Sequence, residues 1–563
     1  MENKESQTLT NIASLVQGAL HDQRNLTAVE RFSERHETGK IPEQARYYQD
    51  LIPLSTPRPG EQYAFEVDLD ACTGCKACVS ACHNLNGLDE KETWRSVGIL
   101  NGGTQAKATT ITVTTACHHC IEPACLTGCP TQAYVKDSKT GIVKHLDDQC
   151  FGCKYCTLTC PYEVPQYNPR LGIVRKCDMC YSRLNGGEAP ACVQACPNQA
   201  IRIKVVKQKE VFENTENKSF LPGTPDPQKT YPTTNYKTKH PLPKNLLPAD
   251  YYSIQKSHSH LPLVFMLVLT QLSIGAFTMK WITNFFLENT VSPALSLFLT
   301  ILTFLLGQLA MGASIFHLGR PLYAVRAVIG LRTSWLSREI VAMGMFSFLT
   351  FGYALSFILN KWGSFKLSIS FFNGLETITV FTGMCAIGTS VMVYKATKRD
   401  CWNNGSTAWK FYLSTFLSGS SFLLMILHLF AFFYSEAKAI ADQIGGILPA
   451  VIIYASFIKL LIECMILKHL KSRHLTPLKR SAILLTRELK KIFKARLLCA
   501  LVGAFIFPLF IILNENRESG SQIRMGSLFF SAASFLFVFA GEILERYLFF
   551  TSEGSDKMPG GFT

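Results

Sequence analysis

The chain has 563 residues, of which 48% are hydrophobic and only 17% are charged, and this composition is too apolar for an ordinary soluble protein. The formal net charge of +15 does not indicate a nucleic-acid partner, because much of the basic excess lies between apolar runs, where a membrane explains it better. Nearly all long apolar runs follow about Leu261, whereas residues 1–250 are polar and hold sixteen of the twenty cysteines. We therefore expect two physically different halves.

The N-terminal segment, residues 1–60, is a polar extension in which we expect a helix around residues 8–34. It begins "MENKESQTLTNIASLVQGAL", without the basic stretch, apolar core and small-residue cleavage site of a secretory signal. A secreted disulfide scaffold is therefore disfavoured, and the cysteines that follow are interpreted as metal ligands. The sequence assigns no function to the extension.

Four motifs of four cysteines each come next. They read "CTGCKACVSAC", "CHHCIEPACLTGCP", "CFGCKYCTLTCP" and "CDMCYSRLNGGEAPACVQACP", and the first has His83 where the others have proline. A structural zinc site closes one tetrahedron with two C-x-x-C pairs and leaves no place for a third neighbouring cysteine. A C-x-x-C-x-x-C loop instead supplies three corners of a [4Fe-4S] cluster, while the next cysteine ligates a neighbouring cluster. Sixteen thiolates are thus expected to bind four [4Fe-4S] clusters.

The same rule predicts which motifs share clusters, because in two-cluster ferredoxins the fourth cysteine of one motif completes the cluster of the other. Motifs two and three are close in sequence and form one expected pair, and motifs one and four form the second. The expected ligand sets are Cys72, Cys75, Cys78 and Cys196 (set I); Cys82, Cys177, Cys180 and Cys192 (set II); Cys117, Cys120, Cys125 and Cys160 (set III); and Cys129, Cys150, Cys153 and Cys156 (set IV). Four clusters at close quarters would form an electron relay.

The stretches "CTGCKAC", "CHHCIEPAC", "CFGCKYC", "CPYEVPQYN" and "KCDMCYSR" closely resemble the iron-sulfur subunit of the dimethyl sulfoxide reductase family of respiratory molybdoenzymes, over about residues 63–205. Some relatives replace a cysteine of the third motif by tryptophan, as in the nitrate reductase branch, but Cys156 is present here. The resemblance therefore implies four clusters. We expect an α+β ferredoxin-like domain at residues 61–206, with short strands in segments such as 111–117 and 200–206.

Residues 207–256, rich in Pro, Lys, Thr and Asn, are expected to form a linker. Beyond it lie eight apolar runs, near residues 261–279, 291–317, 340–359, 371–394, 411–433, 447–467, 497–513 and 526–550. Each is long enough, or nearly so, to cross a hydrocarbon core of about 30 Å as a helix. We therefore expect an all-α polytopic membrane domain of about eight transmembrane helices at residues 257–550. The tail, residues 551–563, then lies on the side of the cluster domain.

The loops between the apolar runs predict the orientation, because Lys and Arg are retained on the cytoplasmic side. The loops on the side of the cluster domain contain eighteen Lys and Arg residues, and the opposite loops contain six. We therefore expect a multi-pass protein of the cytoplasmic (inner) membrane whose cluster domain faces the cytoplasm. The basic stretch at residues 478–496 is expected to lie on the anionic inner leaflet.

The stretches "HSHLPLVFMLVLTQ", "HLGRPLYAVRAVIGLRTSWLSREI" and "AGEILERYLFF" resemble the membrane anchor of the same reductases, over about residues 257–550. The resemblance implies a site for menaquinone or ubiquinone. His317 and Glu339 match positions associated with the family's quinol site, and Glu542 and Arg546 resemble its terminal pattern. A quinol releases two protons on oxidation, so a carboxylate or imidazole is expected to accept hydrogen bonds from its hydroxyls. For Glu542 and Arg546 the alternative is an intrahelical ion pair.

Other polar residues of the membrane half carry weaker signals. Haem is not expected, because bis-imidazole ligation needs two facing histidines and only His428 lies mid-span. His428 and Glu463 are buried ionisable groups, which in a bilayer indicate either a functional site or a polar contact between helices. The arginines of the loop after residue 317 are expected to bind the cluster domain or lipid phosphate. The remaining cysteines, Cys385, Cys401, Cys464 and Cys499, are interpreted as apolar fillers.

Together the two resemblances imply a fused electron-transfer and anchor subunit that passes electrons between the quinone pool and a molybdopterin-containing catalytic subunit on another chain. Both directions fit: quinol oxidation feeding S-oxide or N-oxide reduction, and quinone reduction fed by oxidation of sulfite or another sulfur anion. The cytoplasmic orientation favours the sulfite dehydrogenase branch. The alternatives are an ion-pumping ferredoxin:quinone oxidoreductase without molybdenum and a zinc-binding membrane scaffold.

Overall fold

A β-rich region precedes a bundle of long helices in the computed structural model of the chain. The structure describes residues 14–18, 20–21, 27–38, 43–217, 220–286, 293–361, 363, 367–434, 440–441, 443–444, 446–515 and 521–560. Of the helix expected around residues 8–34, residues 14–18 and 20–21 and the start of α1 (Ala28–Thr38) are helical, and positions 8–13, 19 and 22–26 lie outside the described residues. The order of the elements confirms the predicted fold class.

Short strands in the cysteine-rich region form four small sheets. The strands are β1 (Glu61–Asp68), β2 (Ser96–Gly103), β3 (Ala108–Thr115), β4 (Tyr134–Lys136), β5 (Val143–His145), β6 (Gln166–Asn168), β7 (Ile173–Arg175), β8 (Ile201–Lys207), β9 (Asn235–Lys237) and β10 (Leu247–Pro248). β1 runs antiparallel to β8 and parallel to β9, while β2 pairs with β3 and β10. The hairpins β4–β5 and β6–β7 separate motif two from three and three from four. Because β1 precedes and β8 follows all four motifs, their pairing closes the region around the cysteines.

Short helices follow the cysteine loops. They are α2 (Ala77–Leu85), α3 (Ala124–Gly128), α4 (Tyr155–Thr159), α5 (Tyr181–Asn185) and α6 (Ala191–Gln194). Helices of one turn are not stable alone, so their positions depend on what the loops bind and pack against. α2 is longer and continues through Cys82, because His83 stands where the other motifs have a proline that ends the helix.

The segment predicted as a linker is packed against the cysteine-rich region. α7 (Gln208–Glu216) follows β8, and β9 and β10 then add to the sheets of β1 and β2. The Thr233 hydroxyl donates to the carbonyl of His118 at 2.8 Å, and the N–H of Ile121 donates to the carbonyl of Tyr231 at 2.9 Å. This segment therefore covers motif two.

Eight helical spans in the described residues are long and apolar enough to cross a membrane, which confirms the predicted number. Six are single helices, α8 (Leu261–Phe286), α9 (Pro293–Ile315), α10 (Trp335–Lys361), α11 (Ile369–Lys395), α12 (Gly405–Phe433) and α13 (Ile447–Cys464). A shorter helix, α14 (Pro477–Thr486), precedes the seventh span, which comprises α15 (Lys490–Ala500), a π-helical stretch (Leu501–Ile506) and α16 (Phe507–Glu515). The eighth is α17 (Ser521–Thr551).

The centre of the membrane domain is the contact between α8 and α12. A methyl group added at Gly275 of α8 would lie 2.0 Å from the carbonyl oxygen of Thr415, and one added at Gly419 of α12 would lie 2.3 Å from the carbonyl carbon of Gly275. Small residues let membrane helices approach closely, and van der Waals packing then holds them together. The backbones at this contact leave no room for a side chain.

The basic stretch at residues 478–496, expected to lie on the inner leaflet, is divided between two helices. α14 ends before Arg487 and α15 begins a membrane span at Lys490. Arg480 and Arg496 are buried, and Arg480 forms an ion pair with Asp556 of the tail at 2.6 Å. The arginines of this stretch therefore hold protein segments together as well as adding positive charge.

Lys280, which the loop count assigned to the side opposite the cluster domain, lies instead inside α8. Its ammonium group forms an ion pair with Glu376 of α11 at 3.1 Å and donates to the Thr300 hydroxyl at 2.8 Å. A buried charge needs a partner, and the pair links three helices. Removing Lys280 from the count leaves the excess of basic residues on the side of the cluster domain larger.

The tail returns to the cysteine-rich region after the eighth span. The N–H of Ile99 in β2 donates to the carbonyl of Gly560 at 3.1 Å. Glu553 forms a buried ion pair with Arg399 at 2.7 Å, and the same arginine donates to the carbonyl of Leu158 in α4 at 2.9 Å. The Arg399 guanidinium holds the pKa of Glu553 below its ordinary value although burial alone would raise it. The end of the chain thus ties the two halves together.

The contact between α8 and α12 makes a prediction for stability. Gly275→Ala should destabilise the membrane domain by about 1–3 kcal/mol, because the added methyl group overpacks a rigid contact. Gly352→Ala in α10 is the matched control, since no atom lies within 4 Å of the added methyl group and alanine gains up to about 1 kcal/mol in helix propensity. Thermal unfolding of both variants in detergent measures the difference. Equal midpoints for the two would contradict the close packing.

Candidate functional site: the cysteine sets and the membrane interface

The loop of each cysteine motif turns through a left-handed residue at the same position, the third residue of C-x-x-C. These residues are Gly74, His119, Gly152 and Met179, with φ of +75°, +42°, +71° and +62°. Glycine adopts this conformation at little cost, whereas histidine and methionine rarely do. Strained residues persist only where the surroundings hold them, as functional loops do. The repeated turn curls each loop around a common centre.

A second turn recurs after the cysteine that precedes proline. The third residue after this cysteine is left-handed in motifs two, three and four, at Gln132, Glu163 and Gln199. The N–H of the next residue then points back at the sulfur in motifs two and four, so that Ala133 donates to Cys129 and Ala200 donates to Cys196, both at 3.2 Å. Hydrogen bonds to sulfur favour the thiolate. The local backbone conformation therefore favours the thiolate form of these two cysteines, which is the form that binds metal.

The structure brings together the four cysteines of each expected set, although the motifs that share a set lie far apart in sequence. Set I lines one cavity and set III lines another. In set II, Cys82 adjoins Cys180 and Cys192, and Cys177 adjoins Cys82. In set IV, Cys153 and Cys156 both adjoin Cys129 and Cys150. All of these cysteines are free thiols.

The shape of the cysteine sites fits a cluster better than a single ion. Within the described part of the chain, no three or more His, Cys, Asp or Glu side chains stand close enough to hold one metal ion. In sets I and III the four cysteines instead surround cavities. Ligands at the corners of a cubane have this arrangement, because each binds a different iron atom.

Burial makes these thiols weak acids. It raises the pKa of Cys82 to about 12, with a further contribution from neighbouring Cys192, and it raises the pKa of Cys160 and of Cys180 to about 11. Such groups favour their neutral forms unless a cation lies among them. A coordinating metal supplies the positive charge and displaces the protons.

The four sets follow one another in space in the order I, II, III, IV. Cys78 of set I adjoins Cys192 of set II, and Cys177 of set II adjoins Cys117 of set III. Tyr134 lies between sets III and IV, next to cysteines of both. In set I, Cys75 is exposed at the protein surface. The order defines a path from the surface through the cysteine-rich region.

Set IV lies against the loop between α9 and α10, residues 316–334, which we call the docking loop. The N–H groups of Gly319 and Arg320 donate to the carbonyls of Gly152 and Phe151, at 3.3 and 3.0 Å. A side chain at Gly319 would come within 2.0 Å of the carbonyl oxygen of Gly172. Only glycine permits this approach, so the membrane domain touches the third cysteine motif directly.

Two arginines of the docking loop hold the cluster domain, as expected. The Arg320 guanidinium donates to the carbonyls of Leu171 and Asp147, both at 3.1 Å. Arg326 donates to the carbonyl of Asp148 at 2.7 Å. These contacts fix set IV over the membrane domain, because they bind the segments on either side of motif three.

His317 and Glu339, two of the predicted quinone-site residues, lie at this interface. The His317 ring is buried, hydrogen-bonds with the backbone of Cys153 and lies 5.3 Å from the His260 ring, centroid to centroid. Burial, together with the charge of Lys154, lowers the pKa of His317 to about 3, so the ring is neutral. Glu339 is buried in α10 near the Ser390 hydroxyl, and among the described residues its Oε1 has no hydrogen-bond partner at bonding distance. An acceptor of this kind is costly unless a ligand or water completes it.

Tyr155 connects set IV to this pair and was not predicted from the sequence. It follows Lys154 in motif three, and its hydroxyl donates to the carbonyl of Val393 in α11 at 2.5 Å. The side chain adjoins both Glu339 and Cys153. A large aromatic residue between two ligand cysteines was the available signal, but only the docking of the two halves gives it a partner.

Glu542 and Arg546 lie elsewhere, in a buried group of charges contributed by three helices. Glu542 binds the Lys459 ammonium group and forms an ion pair with Arg496 at 3.1 Å. Arg546 pairs with its neighbour Glu545 at 2.6 Å. The expected intrahelical pair between Glu542 and Arg546 is therefore replaced by pairs with other residues. Glu463, the other buried carboxylate singled out from the sequence, belongs to the same group and pairs with Arg496 at 3.0 Å.

A chamber of about 310 Å³, with both polar and apolar walls, opens between the cluster domain and the membrane domain. Its charged and titratable lining consists of Glu163, Lys256, His258, His260, Arg399, Glu553 and Lys557. Because the His260 ring also meets the His317 ring edge to face, the chamber approaches the candidate quinone-site residues from the side of the cluster domain.

Two buried cations beside the cysteine sets were also missed. Arg95 and Lys176 are each 2% exposed. Arg95 adjoins cysteines of sets I and II, and Lys176 lines the cavity of set III. One feature of the sequence could have indicated a cation beside a cysteine set, namely the position of Lys176 directly before Cys177. A basic residue next to a cysteine is equally compatible with an exposed side chain, however, so the sequence did not decide between the two.

Comparison with known proteins agrees with this architecture. A 4Fe-4S dicluster domain matches residues 108–206. The family of the DMSO reductase anchor subunit (DmsC) matches residues 254–551, which is more than half of the chain. The two matches flank the segment that wraps over motif two.

The relatives of the first half are chains of a dimethyl sulfoxide reductase and of a formate dehydrogenase. The B subunit of the anaerobic dimethyl sulfoxide reductase of Haemophilus influenzae is 39% identical over 165 residues, 28% of this chain and 80% of the relative. The corresponding B subunit of Escherichia coli is 37% identical over 148 residues, 25% of this chain and 72% of the relative. A formate dehydrogenase iron-sulfur subunit of Haemophilus influenzae is 31% identical over 191 residues, 29% of this chain and 61% of the relative. The chain therefore belongs to the DMSO reductase family, as a fusion of its iron-sulfur and anchor subunits that spans the membrane several times and transfers electrons within an oxidoreductase complex.

Proposed function

We propose that each of the four cysteine sets binds one [4Fe-4S] cluster. Support comes from the cavities of sets I and III, from the proximity of the cysteines in sets II and IV, and from the repeated N–H donation to sulfur. Bound clusters would supply one-electron transfer. The protein fixes their order, since each set adjoins the next from the exposed Cys75 to the docking loop.

We propose that menaquinone or ubiquinone binds between the docking loop and α10, beside His317 and Glu339. The observation that carries this proposal is the position of His317. It lies just beyond α9, a membrane span, and hydrogen-bonds with the backbone of Cys153 in set IV. A quinone head group here would be reached from the bilayer on one side and would lie next to the relay on the other.

The two residues have complementary roles in this site. The unpartnered Oε1 of Glu339 accepts a hydrogen bond from one quinol hydroxyl, and the neutral His317 ring accepts one from the other. Oxidation to the quinone releases two electrons, which leave one at a time through set IV, and two protons. The protons pass to these acceptors and leave through the chamber behind His260. Quinone reduction uses the same groups as donors, because the reverse reaction follows the same path.

We place Glu542 and Arg546 outside this quinone site. Glu542 already faces two cations, Lys459 and Arg496, so a quinol hydroxyl would compete with two ion pairs. Arg546 pairs with Glu545 and donates to Gln271 at 3.2 Å. We infer that these residues position α17 against α8 and α13 and do not bind quinone.

We propose that a molybdopterin-containing catalytic subunit docks beside set I and holds the terminal substrate. The exposed Cys75 marks the end of the relay farthest from the docking loop, and electrons exchanged with another chain in either direction would cross there. We further propose that the cluster domain faces the cytoplasm, because the basic residues concentrate in the loops on its side of the membrane. That orientation favours oxidation of a sulfur anion such as sulfite as the reaction of the complex. Copurification of a molybdenum subunit would separate this function from that of an ion-pumping ferredoxin:quinone oxidoreductase.

Substitution of single cysteines tests the four sets. Wild-type protein purified without oxygen should contain about sixteen iron atoms per chain, and a zinc-binding scaffold would contain zinc instead. Cys129→Ser should change the same paramagnetic signal as Cys150→Ser, although the two residues belong to different motifs, whereas Cys125→Ser should change another. Cys385→Ser, outside the sets, is the control. If Cys129→Ser and Cys125→Ser altered one common signal, the exchange of ligands between motifs would be wrong.

Glu339→Gln tests the quinone site. We expect a roughly 100-fold or larger loss in the rate of electron transfer from a quinol analogue, since the amide cannot take up the proton, with all cluster signals retained. Glu542→Gln is the comparison, because the proposal assigns Glu542 a structural role. Stopped-flow reduction of the clusters by quinol measures both. A larger rate loss in Glu542→Gln, with its clusters intact, would move the site to α17.

The orientation is tested with protease-sensitive epitopes. An epitope after Lys361 should be cleaved in intact spheroplasts, whereas one after Arg473 should be cleaved only in inverted membrane vesicles. The opposite pattern would place the cluster domain on the outer face, and the argument for sulfur-anion oxidation would then fail.

A further inference from the structure

Arg95 and Lys176 are cations in the interior of the cluster domain without a carboxylate partner. Each side chain is 2% exposed, and neither takes part in an ion pair among the described residues. Burial of an unpaired charge is expensive. The protein must therefore supply a negative charge of another kind close to each.

Arg95 stands at the junction of sets I and II. One guanidinium nitrogen donates to the Thr114 hydroxyl at 3.1 Å, and this hydroxyl lies 3.6 Å from the sulfur of Cys78 in set I. The other terminal nitrogen, Nη2, is buried, and none of the described residues forms a hydrogen bond with it. The nearest charges are cysteine sulfurs, first Cys192 of set II and then Cys78. The guanidinium is thus bounded by ligands of two neighbouring sets.

Lys176 stands at the junction of sets II and III. Its ammonium group donates to the carbonyl of Cys177, a set II cysteine, at 2.8 Å, and to the carbonyl of Val143. The side chain also lines the cavity of set III. His118 and His119 lie in the wall of the same cavity.

We propose that Arg95 and Lys176 are fixed positive charges that raise the reduction potentials of the clusters at these two junctions, Arg95 for sets I and II and Lys176 for sets II and III. This inference rests on the proposed binding of four clusters. A cluster with four thiolate ligands is anionic and gains one further negative charge when it accepts an electron, with no bond made or broken. A buried cation nearby stabilises the reduced form more than the oxidised form, and net charge is one of the factors that set cluster potentials.

The placement predicts an uneven effect along the relay. Set II lies next to both cations, so the reduction potential of its cluster should be raised the most. In the part of the chain that the structure describes, neither cation is among the groups found beside Cys153 and Cys156 of set IV. Electrons would then be drawn from the membrane end toward the centre of the relay. The cluster of set IV serves as an internal reference within each variant.

The experiment is a redox titration of the complete protein in membranes, followed by paramagnetic resonance. Arg95→Gln should lower the equilibrium constant for one-electron reduction at sets I and II by about tenfold or more, which corresponds to about 59 mV, and Lys176→Gln should do the same at sets II and III. The reduction potential of the set IV cluster should not change in either variant. Arg95→Lys and Lys176→Arg keep the charge and should restore the potentials toward wild type. Lys107→Gln, an exposed turn residue, is the control for a surface charge.

The outcomes separate this inference from the one on which it rests. Wild-type protein with fewer than four clusters contradicts the proposed function. Four clusters whose potentials are unchanged in both glutamine variants, or an equal shift at set IV, overturn the present inference. If a glutamine variant loses clusters, the charge-conserving variant at the same position decides the outcome. Retention of the clusters in that variant supports a requirement for the positive charge. Loss of the clusters in both variants overturns the inference.

Discussion

The structure depends on the ligation of buried cysteine sulfurs. In the cluster domain, strands of three residues and helices of one turn join the motifs, and none of these elements is stable alone. Burial raises the pKa of several of these thiols, so a cation among them favours their ionisation. In the proposed clusters, iron would supply this positive charge and connect loops that are up to 124 residues apart in set I, so metal binding would be coupled to folding. The loops are prepared for it, with a left-handed turn inside every motif and N–H groups aimed at the sulfurs of motifs two and four.

The membrane domain serves this relay by holding one end of it. The docking loop binds the third motif by backbone contacts that only glycine permits, and the tail adds the buried pair of Arg399 and Glu553. Because the two halves belong to one chain, set IV and the residues at the ends of α9 and α10 keep a fixed geometry. Electron transfer benefits from such rigidity, since it requires donor and acceptor at constant distance and no movement of the protein.

Apart from Glu339, the charged side chains of the interior that the structure describes include two contrasting kinds. Many are paired, such as Lys280 with Glu376 and Glu542 with Arg496, and they join helices where unpaired charges would be too costly. Arg95 and Lys176 instead face cysteine sulfurs. The distinction separates side chains that hold the bundle together from side chains that act on the relay.

The sequence by itself determined the division into two halves, the eight spans and the cysteines that come together, because apolar length and ligand spacing are local properties of the chain. It also indicated His317 and Glu339, which flank one loop. Only the tertiary structure decided which ion pairs Glu542, Arg546 and Lys280 form. It also decided that Tyr155 reaches into the membrane domain. The positions of Arg95 and Lys176 between cysteine sets likewise became known only from the structure. Those partners come from segments distant in sequence, and the partner of a buried charge or hydroxyl is fixed by packing, which no local pattern records.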